Sequence, residues 1–99
     1  MLDVLTIDDF AQREGDRFSV DHQGHVRVLV LAQAETSRIE PPPGRRRSFS
    51  LIFREAQDGP ALGQGTYGFD HRDLGRLELF ITCIGPDTDG AMRYEAVFN

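Results

Sequence analysis

Three features of the sequence predict an all-β domain with one short N-terminal helix. β-branched and aromatic residues recur with a period of two from Phe18 onward, clusters of Gly, Pro and Asp interrupt them, and several joins are too short for a parallel crossover. The 99 residues are 39% hydrophobic, which supplies one core and not two, so residues 1–99 are read as a single domain. Closing the edges of about six antiparallel strands gives a small barrel-like roll or a two-layer sandwich, with a slight preference for the roll.

Thr6 opens the helical segment Thr6 to Gln12. Its hydroxyl is placed to cap the amide of Asp9, Asp8 and Asp9 complement the positive helix end, and Gly15 supplies a stop. Ile7, Phe10 and Ala11 share one helical face, which predicts a lid lying against the sheet.

The predicted strands are Arg17 to His22, His25 to Ala34, Ser48 to Glu55, Thr66 to Asp70, Leu77 to Ile84 and Met92 to Phe98. In the second, Val26, Val28 and Val30 alternate with Leu29 and Leu31, so its middle is apolar on both sides and is expected to be central or covered by the helix. In the third, Phe49, Leu51 and Phe53 share a face. In the last, Tyr94, Ala96 and Phe98 alternate with Glu95 and Val97 and are expected to point inward. Gln23-Gly24, His71 to Arg76 through Leu74-Gly75, and Pro86 to Gly90 read as turns between antiparallel neighbours.

One long irregular stretch, Glu35 to Arg47, carries Pro41, Pro42 and Pro43, then Gly44, then Arg45, Arg46 and Arg47. The prolines favour an extended conformation and exclude a ladder. It reads either as an arm whose arginines reach a partner's carboxylates or phosphates, or as a solvated loop, the commoner outcome.

A net charge of −5 and a pI near 5.0 argue against nucleic acid as the partner of the whole surface, which would need a basic face. No run approaches the roughly 20 apolar residues that cross a bilayer, and Met1 to Asp9 lacks the basic start and apolar run of a signal peptide. A cytoplasmic protein with no membrane association is expected, and export as part of an assembly is compatible with this. Cys83, the single cysteine, lies in an apolar run and is expected to be buried, with no intrachain disulfide.

Several motifs imitate chemistry. Gly63-Gln64-Gly65-Thr66-Tyr67-Gly68 fits a dinucleotide pattern, but it follows Pro60 and enters a strand instead of opening a helix. His71-Arg72-Asp73-Leu74 imitates a kinase catalytic loop in a chain too short for two lobes, with Glu78 where an asparagine belongs. Asp87-Thr88-Asp89-Gly90 has the alternating carboxylates of a calcium loop but Phe98 at the position of its bidentate glutamate. His22, His25 and His71 match no metal-ligand spacing, and Ser19, Ser37, Ser48 and Ser50 lack the strained Gly-flanked turn of a catalytic serine. No catalytic residue, cofactor or metal is expected.

Leu5-Thr6-Ile7-Asp8-Asp9-Phe10, Phe49 to Arg54, Gly65-Thr66-Tyr67, His71 to Gly75 and Tyr94 to Asn99 together resemble a family of bacterial proteins of similar length, a domain of unknown function found beside genes for phage-tail-collar-like proteins. The resemblance implies a structural or interaction module, an accessory of a tail-like assembly whose partner is a tail-collar-like protein. It implies no catalytic residues.

Three functions are open at this point. The first is that module, docking through a strand edge or through the loop of Pro41, Pro42, Pro43, Arg45, Arg46 and Arg47; an exposed edge would equally serve a homo-oligomer. The second is a small-molecule or sugar-binding barrel with Tyr67, Phe69, His71 and Arg72 at its mouth. The third, ranked last, is an enzyme using His71 and Asp73 as a base pair.

Overall fold

The computed structural model describes residues 5–55 and 60–98. Helix α1 (Ile7–Ala11) precedes strands β1 (Arg17–His22), β2 (His25–Thr36), β3 (Phe49–Glu55), β4 (Gly65–His71), β5 (Gly75–Pro86) and β6 (Met92–Phe98). The strands close in the order β1-β2-β3-β6-β5-β4, every neighbouring pair antiparallel. Of the two architectures open in the sequence, the barrel is the one adopted. Closure gives every strand a neighbour on both sides, leaving edges unpaired only where that pairing is short.

β1 and β6 begin and end where the hydrophobic pattern does. β2 and β5 run further than that pattern because residues outside it continue the ladder: Glu35 and Thr36 still pair with Ser50 and Phe49, and Gly85 and Pro86 with Arg93 and Met92. Closure is uneven. β3 and β6 pair continuously from Phe49 opposite Phe98 to Glu55 opposite Met92, whereas β1 and β4 meet only at Ser19 opposite Asp70 and Val20 opposite Phe69.

The inward positions form one core. Phe18 meets Phe53 edge-on at 5.2 Å between ring centroids, and Phe53 meets Phe69 at 5.0 Å. Leu29, Leu31, Leu51, Ile81, Tyr94 and Ala96 fill the space around them, all essentially without solvent contact. A bulge between Leu31 and Gln33 resets the parity of β2, so that Ala34 comes opposite Leu51.

Two sequence expectations are corrected. Val26 is 67% exposed and Val28 also faces outward. They sit on the outer wall of the barrel, where β-branched residues favour the strand without being covered. The helix is not a lid on that wall; it stops one end of the barrel. Thr6 and Asp9 form a capping box, with Asp9 Oδ2 accepting the Thr6 backbone N–H at 2.8 Å. Phe10 then enters the barrel end, 5.9 Å from the ring of Phe49 and 5.3 Å from that of Phe98, which themselves stack at 4.6 Å. Gly15, at φ +94°, ends this turn, and its amide donates to the Leu31 carbonyl at 2.7 Å.

Candidate functional site

The opposite barrel end is closed by Leu62 and by a buried polar cluster. Glu55 continues the inward series Phe49, Leu51, Phe53, and its side chain is 1% exposed. Arg27 donates to it in fork geometry, Nε to Oε2 at 2.7 Å and Nη2 to Oε1 at 2.6 Å, and also to the Pro60 carbonyl at 2.9 Å. The Tyr94 hydroxyl accepts the Leu62 amide at 2.9 Å and lies 3.4 Å from Glu55 Oε1. The hydrogen bond to Glu55 raises the Arg27 pKa above its ordinary value, and burial raises that of Tyr94. The cluster satisfies its own polar groups and offers no open position, so it reads as the fastening of this end.

His71 is committed in a similar way. Its side chain is buried under the ring of Phe18 at 4.6 Å. Nδ1 accepts the amides of Asp73 at 3.0 Å and Leu74 at 3.2 Å, and Nε2 lies 2.8 Å from Asp16 Oδ2. Two N–H groups aimed at Nδ1 leave the ring proton on Nε2, donated to Asp16. The Asp16 and Asp73 carboxylates lie within 4.8 Å of a His71 nitrogen, but a metal would need a ring lone pair that this arrangement does not leave free. The carboxylate partner of His71 is Asp16, while Asp73 contributes its amide to the turn. A long-range ¹⁵N spectrum is expected to show the Nε2–H tautomer, and a dominant Nδ1–H signal would dismiss this arrangement.

The four residues expected at a ligand mouth do not assemble into one. They follow one another along and just beyond β4: Tyr67 packs against His22 at 5.6 Å toward the Leu62 end, Phe69 is wholly inside the core, and His71 lies toward the helix end with Arg72 exposed beside it. The Arg76 guanidinium crosses the backbone at Gly68 and reaches Asp70 and Glu78 from that position, so a side chain at Gly68 would displace it. Cys83 is half-buried against the core.

The Asp87 carboxylate is occupied internally. Oδ2 accepts Arg54 Nε–H at 2.6 Å, and Oδ1 takes the amides of Asp89 at 2.9 Å and Ala91 at 3.0 Å. Arg54 first, then the two amides, hold its pKa below the ordinary carboxylate value against the opposing effect of desolvation. Its contribution to stability is therefore present above the ordinary value and lost as pH falls below it through the depressed one. Amide shifts of Asp89 and Ala91 are expected to change only below the pH at which an aspartate titrates in an unfolded peptide.

The loop between β2 and β3 is built differently. Pro42 accepts the Arg45 amide at 3.1 Å across Pro43 and Gly44, the latter at φ +82°, as in a type II turn. Arg47 tethers the loop from within, donating to the carbonyls of Ser37 at 3.1 Å and Ile39 at 3.2 Å and pairing with Glu40 at 2.7 Å. Arg46 donates to the Leu5 carbonyl at 2.6 Å and lies over the Phe49 ring at 5.7 Å, joining the loop to the helix end. Arg45 is exposed, and its guanidinium has no partner among the described residues. Ile39 is 79% exposed and stands between two open clefts, one of about 550 Å³ toward Pro41, Pro42 and Arg45 and one of about 420 Å³ toward Val97.

A family model described as Domain of unknown function (DUF6916) matches residues 5–98. The chain belongs to this family. No curated protein and no solved structure matches it. In this DUF6916 chain the sequence pattern pointed to the loop, but it did not separate arginines that tether it, Arg46 and Arg47, from Arg45, which projects. It also missed the Arg27–Glu55 pair. A signal was present in Glu55, a carboxylate falling in step with Phe49, Leu51 and Phe53 at an inward position.

Proposed function

We propose that this DUF6916 chain is a non-catalytic interaction module that docks on a larger assembly through the 37–48 loop. The observation that supports this reading is the location of open volume. The inward positions of the barrel are filled and its ends are stopped by Phe10 and by Leu62 with its polar cluster, while the clefts beside Ile39 lie outside, under the loop. A tail-collar-like protein of a phage-tail-like assembly is the partner class implied by the resemblance to bacterial proteins. A small-molecule or sugar site in the lumen draws no support from Tyr67, Phe69 and His71, which lie at different depths of a packed wall. Affinity purification of the tagged protein from its host, in parallel with Arg45→Glu, tests the docking reading. A partner recovered with the native chain and lost with the variant is expected; a partner retained by the variant removes the loop as the interface.

A further inference from the structure

We propose that the cleft beside Ile39 receives a short acidic segment of a partner protein, with one apolar side chain seated on Ile39, Pro41 and Pro42 and its carboxylates facing Arg45. The inference rests on the docking reading above and specifies the chemistry of what docks.

Charge asymmetry is the first support. Residues 38–47 hold four arginines and one glutamate, a formal +3 on a chain whose total is −5, so the remainder carries −8. The loop is thus a local positive pole on an acidic body. A duplex or an anionic bilayer extends beyond so small a pole and meets the repelling body, whereas a short peptide segment meets the loop alone.

Shape is the second. The cleft of about 550 Å³ is lined by Ile39, Pro41 and Pro42 together with Arg45, Arg46 and Glu40, whose carboxylate is taken up by Arg47, leaving an apolar seat with a cationic rim. That volume lies within the range of about 300–1,000 Å³ usual for ligand clefts. Ile39 is presented to solvent by a loop that Arg47 holds in place, so the seat is formed before a partner arrives. The neighbouring cleft is lined by two carboxylates, Glu35 and Glu95, against one arginine, Arg38, which favours the Arg45 side for the segment's carboxylates.

Fluorescein-labelled peptides test the proposal directly: one alternating glutamate and leucine, one alternating lysine and leucine, one of glutamate alone, and an oligothymidylate of similar length. Anisotropy gives the affinity, and ¹⁵N amide shifts of the protein give the place. The glutamate–leucine peptide is expected to bind with shifts confined to the 37–48 loop and its flanking strand residues. Its affinity should fall with rising salt and by about tenfold or more in Arg45→Glu. The all-glutamate peptide should bind more weakly for want of an anchor. Equal affinity for the lysine–leucine peptide, shifts elsewhere on the barrel, tighter binding of the oligothymidylate, or no binding of the glutamate–leucine peptide would each overturn the proposal. Arg45→Glu touches no internal contact, and an unchanged melt verifies that it folds. If the peptide fails to bind while Arg45→Glu still releases the host partner, the acidic chemistry falls and the docking loop stands. If the partner stays on the variant, the docking reading falls with it.

Discussion

Arg27→Ala is expected to destabilise the barrel by about 3–5 kcal/mol, the usual cost of leaving a buried charge without its partner. Glu55 is enclosed, and both of its oxygens are held by Arg27. Removing the guanidinium also releases the Pro60 carbonyl to solvent and loosens the segment that carries Leu62 into the barrel end. Against a total of about 5–15 kcal/mol for a domain of this size, the variant stands near the edge of folding. The double change Arg27→Met with Glu55→Leu should recover most of the loss, since an apolar pair of similar volume needs no mutual compensation. Urea unfolding of the two variants beside the native chain reads this as midpoint shifts. A double variant no more stable than Arg27→Ala would show that the ion pair has a role beyond satisfying its own charges.

Phe10→Ala is expected to cost a similar amount, about 3–5 kcal/mol, because a fully buried ring is deleted from a position that no neighbouring backbone can collapse to fill. Phe10 is the stopper of one barrel end, set among Phe49 and Phe98, and the helix that carries it is only Ile7–Ala11. So short a helix has little stability of its own, and Phe10 is its one fully buried anchor, with Leu5 and Ile7 packing less completely beside it. The change should lower the melting temperature by roughly 4–8 °C for each kcal/mol lost. Phe80→Ala, at a half-exposed position on the outer wall, should leave the melt nearly unchanged. Equal shifts for the two variants would contradict the plug.

Much of this architecture was legible in the chain because each strand follows a period of two and each turn carries its own chemistry. Phe49, Leu51 and Phe53, or Tyr94, Ala96 and Phe98, declare their faces directly. Closure was legible as a preference for the roll over the sandwich, but the place of the helix was not, since Ile7, Phe10 and Ala11 would pack as well on the side of a sheet as across the end of a barrel. Val26 and Val28 misled for a related reason: strand propensity and burial favour the same residues, and only the three-dimensional arrangement separates them. The functional residues were harder. Arg45, Arg46 and Arg47 are identical in sequence, and what distinguishes them is which carbonyls and rings lie within reach after folding.

The brief meeting of β1 with β4 also bears on the order of assembly. Each of the hairpins β1–β2, β4–β5 and β5–β6 joins strands adjacent in the chain, whereas Ser19 and Val20 must find Phe69 and Asp70 across half the molecule. The seam between β3 and β6 closes over a similar distance, as at Phe49 opposite Phe98, but its continuous pairing offsets the entropic cost, whereas β1 and β4 recover little of theirs, so this juncture is the last to zip and the first to part. Native-state hydrogen exchange should therefore find the amides at Ser19, Val20, Phe69 and Asp70 less protected than those along β3 and β6, and the reverse order would mean that the barrel opens elsewhere.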